Sequence, residues 1–111
     1  MFSFVSDLAK LTAVDFSDDL EDPDGPMHGS ELDTSLLLYL APELVHMDRA
    51  LDFVLPQKQR TRYLRTSAGS LPERSPGSLG RPSIATREKG ERLYKMIYDR
   101  VATRVLGVPV L

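Results

Sequence analysis

His28-Gly29-Ser30-Glu31-Leu32-Asp33-Thr34-Ser35 runs on into Leu36-Leu37-Leu38-Tyr39-Leu40 and stops at Pro42; it sets both the first helix and the one compact cluster of reactive side chains in this chain of 111 residues. Ser30 followed three residues later by Asp33 fits a capping box, in which the hydroxyl accepts the Asp33 amide and the carboxylate reaches back. Glu31 and Asp33 also fall in the first turn, where the positive end of the helix dipole favours acids. Leu36 to Leu40 make the helix apolar on most sides, which predicts burial between layers. Pro42 ends it, and Pro42-Glu43-Leu44-Val45 gives one further turn.

Downstream, Thr86 is placed to cap a second helix running to about Leu106, with Glu88 in its first turn and Arg104 in its last. Leu93, Ile97, Val101 and Val105 recur every four residues with Tyr94 and Tyr98 beside them, giving one apolar face. Glu88–Arg92 and Glu91–Lys95 are i,i+4 pairs of the favourable order, and Gly107 stops the helix. Between the helices, Ala50 to Leu55 suits a short strand or turn. Gln57 to Gly80, with Pro72, Pro76, Gly69, Gly77 and Gly80, reads as irregular. A structureless connection of that length is uncommon in a compact domain and points to a functional loop, a subunit contact or a segment ordered from outside. Upstream, Met1 to Leu11 suits a short helix or strand, with Val108 to Leu111 as a terminal extension at the other end. Thr12 to Met27, dense in Asp and broken by Pro23, Gly25 and Pro26, reads as a loop kept out of the core.

The absence of cysteine excludes disulfides, thiolate metal sites and cysteine nucleophiles. The longest apolar stretch, Leu36 to Pro42, is too short to span a bilayer. Met1 to Lys10 lacks the basic start and long apolar run of a secretion signal, so the cytoplasm is the expected compartment. The net charge of −2 conceals a split: twelve acids against two bases up to Pro56, and four acids against twelve bases from Gln57 onward. The basic half has no aromatic-interleaved sheet motif, zinc-finger spacing or compact Lys/Arg run, so nucleic-acid binding is not expected. The split predicts that the halves face each other or neighbouring subunits.

His28, just ahead of the helix, with Glu31 and Asp33 within six residues, is a set that can bind a divalent metal or handle protons beside one. The residues alone leave this open against a plainer reading, a capping box with an exposed loop histidine.

The segment resembles the His-Ala-Gly-Glu-x-Glu-Thr-Ser segment of the creatininase (creatinine amidohydrolase) family, which opens a buried helix ending in a similar Pro-Glu-Leu-Val. Gly80-Arg81-Pro82-Ser83-Ile84-Ala85-Thr86-Arg87-Glu88-Lys89-Gly90-Glu91 resembles the family's Gly-Asp-Pro-x-x-Ala-Thr-x-Glu-Lys-Gly-Glu stretch. Together they cover roughly Gly25 to Val105. The resemblance implies an α/β fold: the C-terminal portion of a three-layer sandwich with a mainly parallel sheet, and helices at about 30–41 and 86–106. Residues 1–24 are then an acidic lead-in and loop, 25–45 the motif and its helix, 57–80 an irregular loop and 81–111 the C-terminal helix. It also implies metal-dependent hydrolysis of a non-peptide C–N bond in a small cyclic amide or formamide, with divalent zinc or manganese, and a homo-oligomer or a complementing chain as partner. Carried onto this chain, His28 takes the proton-transfer role, Glu31 stands beside it as a catalytic carboxylate, and Asp33 lines the metal site.

The chain departs from the pattern. Gly29-Ser30 replaces Ala-Gly, Asp33 replaces a longer Glu, and Arg81 replaces an acid or amide. The Glu-x-His and Asn-Gly-His segments of the family's first half are absent, and the chain has no asparagine. Glu43-x-x-His46 with Asp48 has ligand-like spacing but reads as a solvated turn. The expectation is therefore a C-terminal half, inactive alone. The alternative is a non-catalytic remnant or interaction module that docks on another chain.

Overall fold

The computed structural model describes residues 19–60 and 71–107. The expectations for Met1 to Leu11, for 61–70 of the connection and for Val108 to Leu111 lie outside the described residues.

Helix α1 spans Glu31–Leu40 and helix α2 spans Arg87–Arg100. α1 begins where the acids of its first turn face the dipole and ends at Ala41, whose N–H reaches the Leu37 carbonyl at 2.8 Å before Pro42 removes the next donor. Ser30 does not cap it through its side chain. Its hydroxyl turns back instead, accepting the Met27 N–H and donating to the Met27 carbonyl, both at 3.0 Å. The Asp33 carboxylate reaches one residue further than a capping box requires, taking the Gly29 N–H at 2.8 Å. α2 starts as the spacing expects: Thr86 Oγ1 accepts the Lys89 N–H at 3.1 Å. Its end widens into an i→i+5 turn over Val101–Val105, closed by Leu106 N–H on the Val101 carbonyl.

Short 3₁₀ turns fill much of the remainder, at Pro42–Leu44, Met47–Arg49 and Pro82–Ile84. Residues 57–60 are helical, so the connection from Gln57 is not irregular at its start. The expected sandwich with a mainly parallel sheet is overturned. Among the described residues there is no strand, and the one β contact is an isolated antiparallel bridge between Phe53 and Gly80. The physical reason is local. Pro56, Pro72, Pro76 and Pro82 interrupt the chain on either side of that bridge, and a ladder cannot propagate through residues without an N–H.

α1 and α2 pack directly on each other. Leu20, Leu32 and Leu93 form the buried centre, with Leu36, Met96 and Ile97 packed against it. A second cluster of Met27, Leu55 and Leu79, with Phe53 and Leu71, sits under the loops. The expectation that Thr12 to Met27 stays out of the core is corrected over its described part, 19–27, which runs as turns yet buries Leu20, Asp22 and Met27. The expected burial of α1 on most sides is also corrected: Leu37 is 48% exposed and Leu40 57%. Of the expected apolar face on α2, Leu93 is fully buried, while Tyr94 and Tyr98 are exposed.

Candidate functional site

The site begins with the loop that carries His28. Gly25 N–H bonds the Asp22 carbonyl, Asp24 N–H bonds Asp22 Oδ1, and Ser30 N–H bonds the Met27 carbonyl, so successive turns bring the chain to the mouth of α1. Gly29 has φ +65°, a left-handed conformation that an alanine at this position would strain. On this frame His28 is exposed, with its carbonyl pinned by the Leu79 N–H at 2.8 Å.

Glu31 lies beneath, fully buried. Its Oε1 accepts the Glu21 N–H and its Oε2 the Asp22 N–H, each at 2.9 Å, and the Lys89 ammonium stands 3.1 Å from Oε1. Burial pushes the Glu31 carboxyl up, but the two backbone amides and the Lys89 ammonium outweigh it and hold the group below its ordinary value. Lys89 is itself spent: it also donates to the Ile84 carbonyl at 2.6 Å and pairs with Glu21 at 3.2 Å.

Asp33 is exposed on the adjacent face and holds the Gly29 amide. The structure thus brings His28 and Asp33 to one solvent-facing mouth and sets Glu31 inside, turned toward the protein. Among the described residues, no group of three or more His, Asp or Glu side chains could hold a metal ion. The donor chemistry does not fit the divalent ion that the resemblance implies, because Glu31 is engaged by donors and only His28 and Asp33 remain at the mouth. Glu43, His46 and Asp48 are exposed on two separate 3₁₀ turns and form no metal cluster either.

Three residues that matter here escape the sequence reading: Lys89, which closes on Glu31, and Glu21 and Asp22, which give it their amides. Lys89 stands inside the second quoted segment, and its position three residues after a cap threonine places it at the helix mouth. That signal was available without saying which acid it would meet. Asp22 is 1% exposed, with Oδ2 unpartnered and Arg81 Nε 3.9 Å from its other oxygen. Arg81, where the resembling pattern has an acid or amide, therefore faces a buried acid from the lead-in.

A shallow cavity of about 240 Å³ opens beside Thr34 and Leu37, walled by Leu44, His46, Leu51 and Pro82. It adjoins the motif without including His28, Glu31 or Asp33.

Residues 3–105 match the family model described as creatininase, creatinine amidohydrolase. The match takes in the acidic lead-in as well as the stretch from Gly25 to Val105, so the expectation of a likeness confined to a C-terminal half is corrected: nearly the whole chain matches the family. Comparison with curated proteins and with solved structures gave no match.

Proposed function

The chain belongs to the creatininase family, and from that premise we propose that it serves amide hydrolysis by presenting His28 as the proton-transfer group to a small, non-peptide amide. Membership supports an amidohydrolase-type function and a small-molecule amide as the substrate class. The observation that carries the role of His28 is its placement: an exposed imidazole on a loop fixed by the Leu79 N–H, at the mouth of a helix that begins three residues later. An imidazole so placed can deliver a proton to the leaving nitrogen of an amide, a contribution typically worth about 10²- to 10⁴-fold in rate. Asp33 holds the Gly29 amide next to the histidine, while Glu31 faces inward and anchors the Glu21 and Asp22 amides. The zinc or manganese common to the family would need ligands from other residues, such as the Glu-x-His and Asn-Gly-His segments that this sequence lacks. No helix among the described residues is long and apolar enough to cross a membrane.

The test has two arms. The chain by itself, with zinc or manganese added, is expected to hydrolyse neither creatinine nor a formamide. Mixed with a polypeptide that carries the missing segments, it is expected to give a metal-stimulated rate that His28→Ala lowers by roughly 10²-fold or more. An unchanged rate in His28→Ala would remove His28 from the chemistry, and metal-stimulated turnover by the chain alone would remove the need for a second polypeptide.

A second reading, a module that docks on another chain, draws on one observation: Leu37, Leu40, Leu44 and Leu51 are each close to half exposed or more. Cooperative melting of a monomer that binds a partner without supporting hydrolysis would favour it.

A further inference from the structure

The two segments that carry the family likeness meet along one seam. Glu31 meets Lys89, the Ser35 hydroxyl accepts the Thr86 N–H at 3.3 Å, and Gly90 lies against the Ser35 carbonyl. We infer that Glu31 and Lys89 form a latch across this seam that withdraws the carboxylate from any metal donor set, so that residues 28–35 of this chain hold the Asp19–Asp24 strap and not a divalent ion.

The donor count supports this. A carboxylate offers about four lone-pair positions, and three at Glu31 are taken by two amides and an ammonium at 2.9, 2.9 and 3.1 Å. An ammonium has three donors, and those of Lys89 face Glu31, Glu21 and the Ile84 carbonyl. A cation approaching Glu31 would meet this positive charge and would have to displace it from a buried site, leaving Lys89 only the exposed Glu21 carboxylate as counter-ion. Without Glu31 the segment offers only the exposed His28 imidazole and the exposed Asp33 carboxylate, which already accepts the Gly29 N–H, and these are too few to hold a divalent ion by themselves. The latch also explains why Leu20 and Asp22 of this acid-rich strap are buried. Glu31 fixes the Glu21 and Asp22 amides, which seats Leu20 between α1 and α2.

The inference does not rest on amide hydrolysis, and its readouts are separate from it. Mn²⁺ titrated into the ¹⁵N-labelled chain is expected to broaden no amide of residues 28–35 selectively. In Lys89→Met the Glu21 and Asp22 amides are expected to lose exchange protection by roughly tenfold or more relative to the α1 and α2 amides, while Lys89→Arg retains it. A double-mutant cycle of Glu31→Gln with Lys89→Met is expected to show coupling of about tenfold in the unfolding equilibrium. Selective, saturable Mn²⁺ broadening within 28–35, or unchanged protection in Lys89→Met, overturns the latch. The Mn²⁺ titration and the Lys89 pair decide the matter even where Glu31→Gln does not fold.

Discussion

A methyl group at Gly90 would sit 1.8 Å from the Ser35 carbonyl oxygen and 3.0 Å from Tyr39 Cβ. The first of these neighbours is helix backbone and cannot swing aside, so α1 and α2 would have to separate. Gly90→Ala is therefore expected to destabilise the chain by about 2 kcal/mol, even though alanine in a helix interior is favoured over glycine by about 1 kcal/mol. Urea unfolding would measure it, and a gain in stability would mean that the helices do not meet at Gly90. Glu31 gives a second test, in pH. Burial raises its carboxyl, but the Glu21 and Asp22 amides with Lys89 hold it below the ordinary value. The folded group thus titrates below the unfolded one, near 4.3. Its ionisation stabilises the fold above that value, and the contribution disappears as pH falls through the lower folded value. The stability gap between the parent chain and Glu31→Gln should accordingly be widest near neutral pH and shrink on acidification. A gap that stays constant to below pH 3, about a unit under the unfolded value, would show that the carboxylate is not the group responsible. At this scale the sequence displays His28, Glu31 and Asp33 as a cluster. It does not display their directions, because the partners that fix them, Leu79 N–H on the His28 carbonyl and Lys89 on Glu31, lie far along the chain.

The two helices differ in how plainly they can be read. α2 is amphipathic, with its cap, its first-turn acid and a Glu91–Lys95 pair at 3.1 Å all local, and local features are what spacing reports. Even so, Met96, outside the repeat of Leu93, Ile97, Val101 and Val105, packs on the core, and Arg92 donates to the Asp19 carbonyl in place of the expected Glu88 pair. Removing the cap with Thr86→Ala should cost about 1 kcal/mol, read as a lower thermal midpoint with helix content kept below it. Loss of less than a few tenths would mean that the Thr86 hydroxyl contributes nothing at Lys89. α1 is less legible, since Ser30 and Asp33 fit a capping box yet bond to Met27 and Gly29. Ser30 is fully buried, and inside the fold its hydroxyl finds both a donor and an acceptor at Met27. The missing sheet has another origin. Its expectation rests on family likeness and not on alternating residues, and between Ala50 and Leu55 only Phe53 enters a β bridge, at Gly80.

Among the described residues the charge split is met in part within the chain. Arg60 pairs with Asp24, Lys89 with Glu21 and Glu31, and Arg92 reaches the Asp19 carbonyl, so these bases of the second half meet the acidic lead-in, one of the two arrangements the split predicts. Apolar surface follows the opposite course. Leu37, Leu44 and Leu51 line one shallow cavity and remain 48%, 69% and 61% exposed, although the run from Leu36 to Leu40 reads as a helix covered on most sides. Composition shows that these leucines exist, but covering them requires a second layer that the described residues do not supply. Since they bury little against this chain, Leu37→Gln with Leu44→Gln should change its stability by no more than about 0.5 kcal/mol. If the face serves association, the same pair should weaken self-association or partner capture at a fixed concentration, measured by sedimentation, while the thermal midpoint of the dilute monomer holds. A large fall in that midpoint would instead place both leucines in the core of the isolated chain and remove this face from any account of docking.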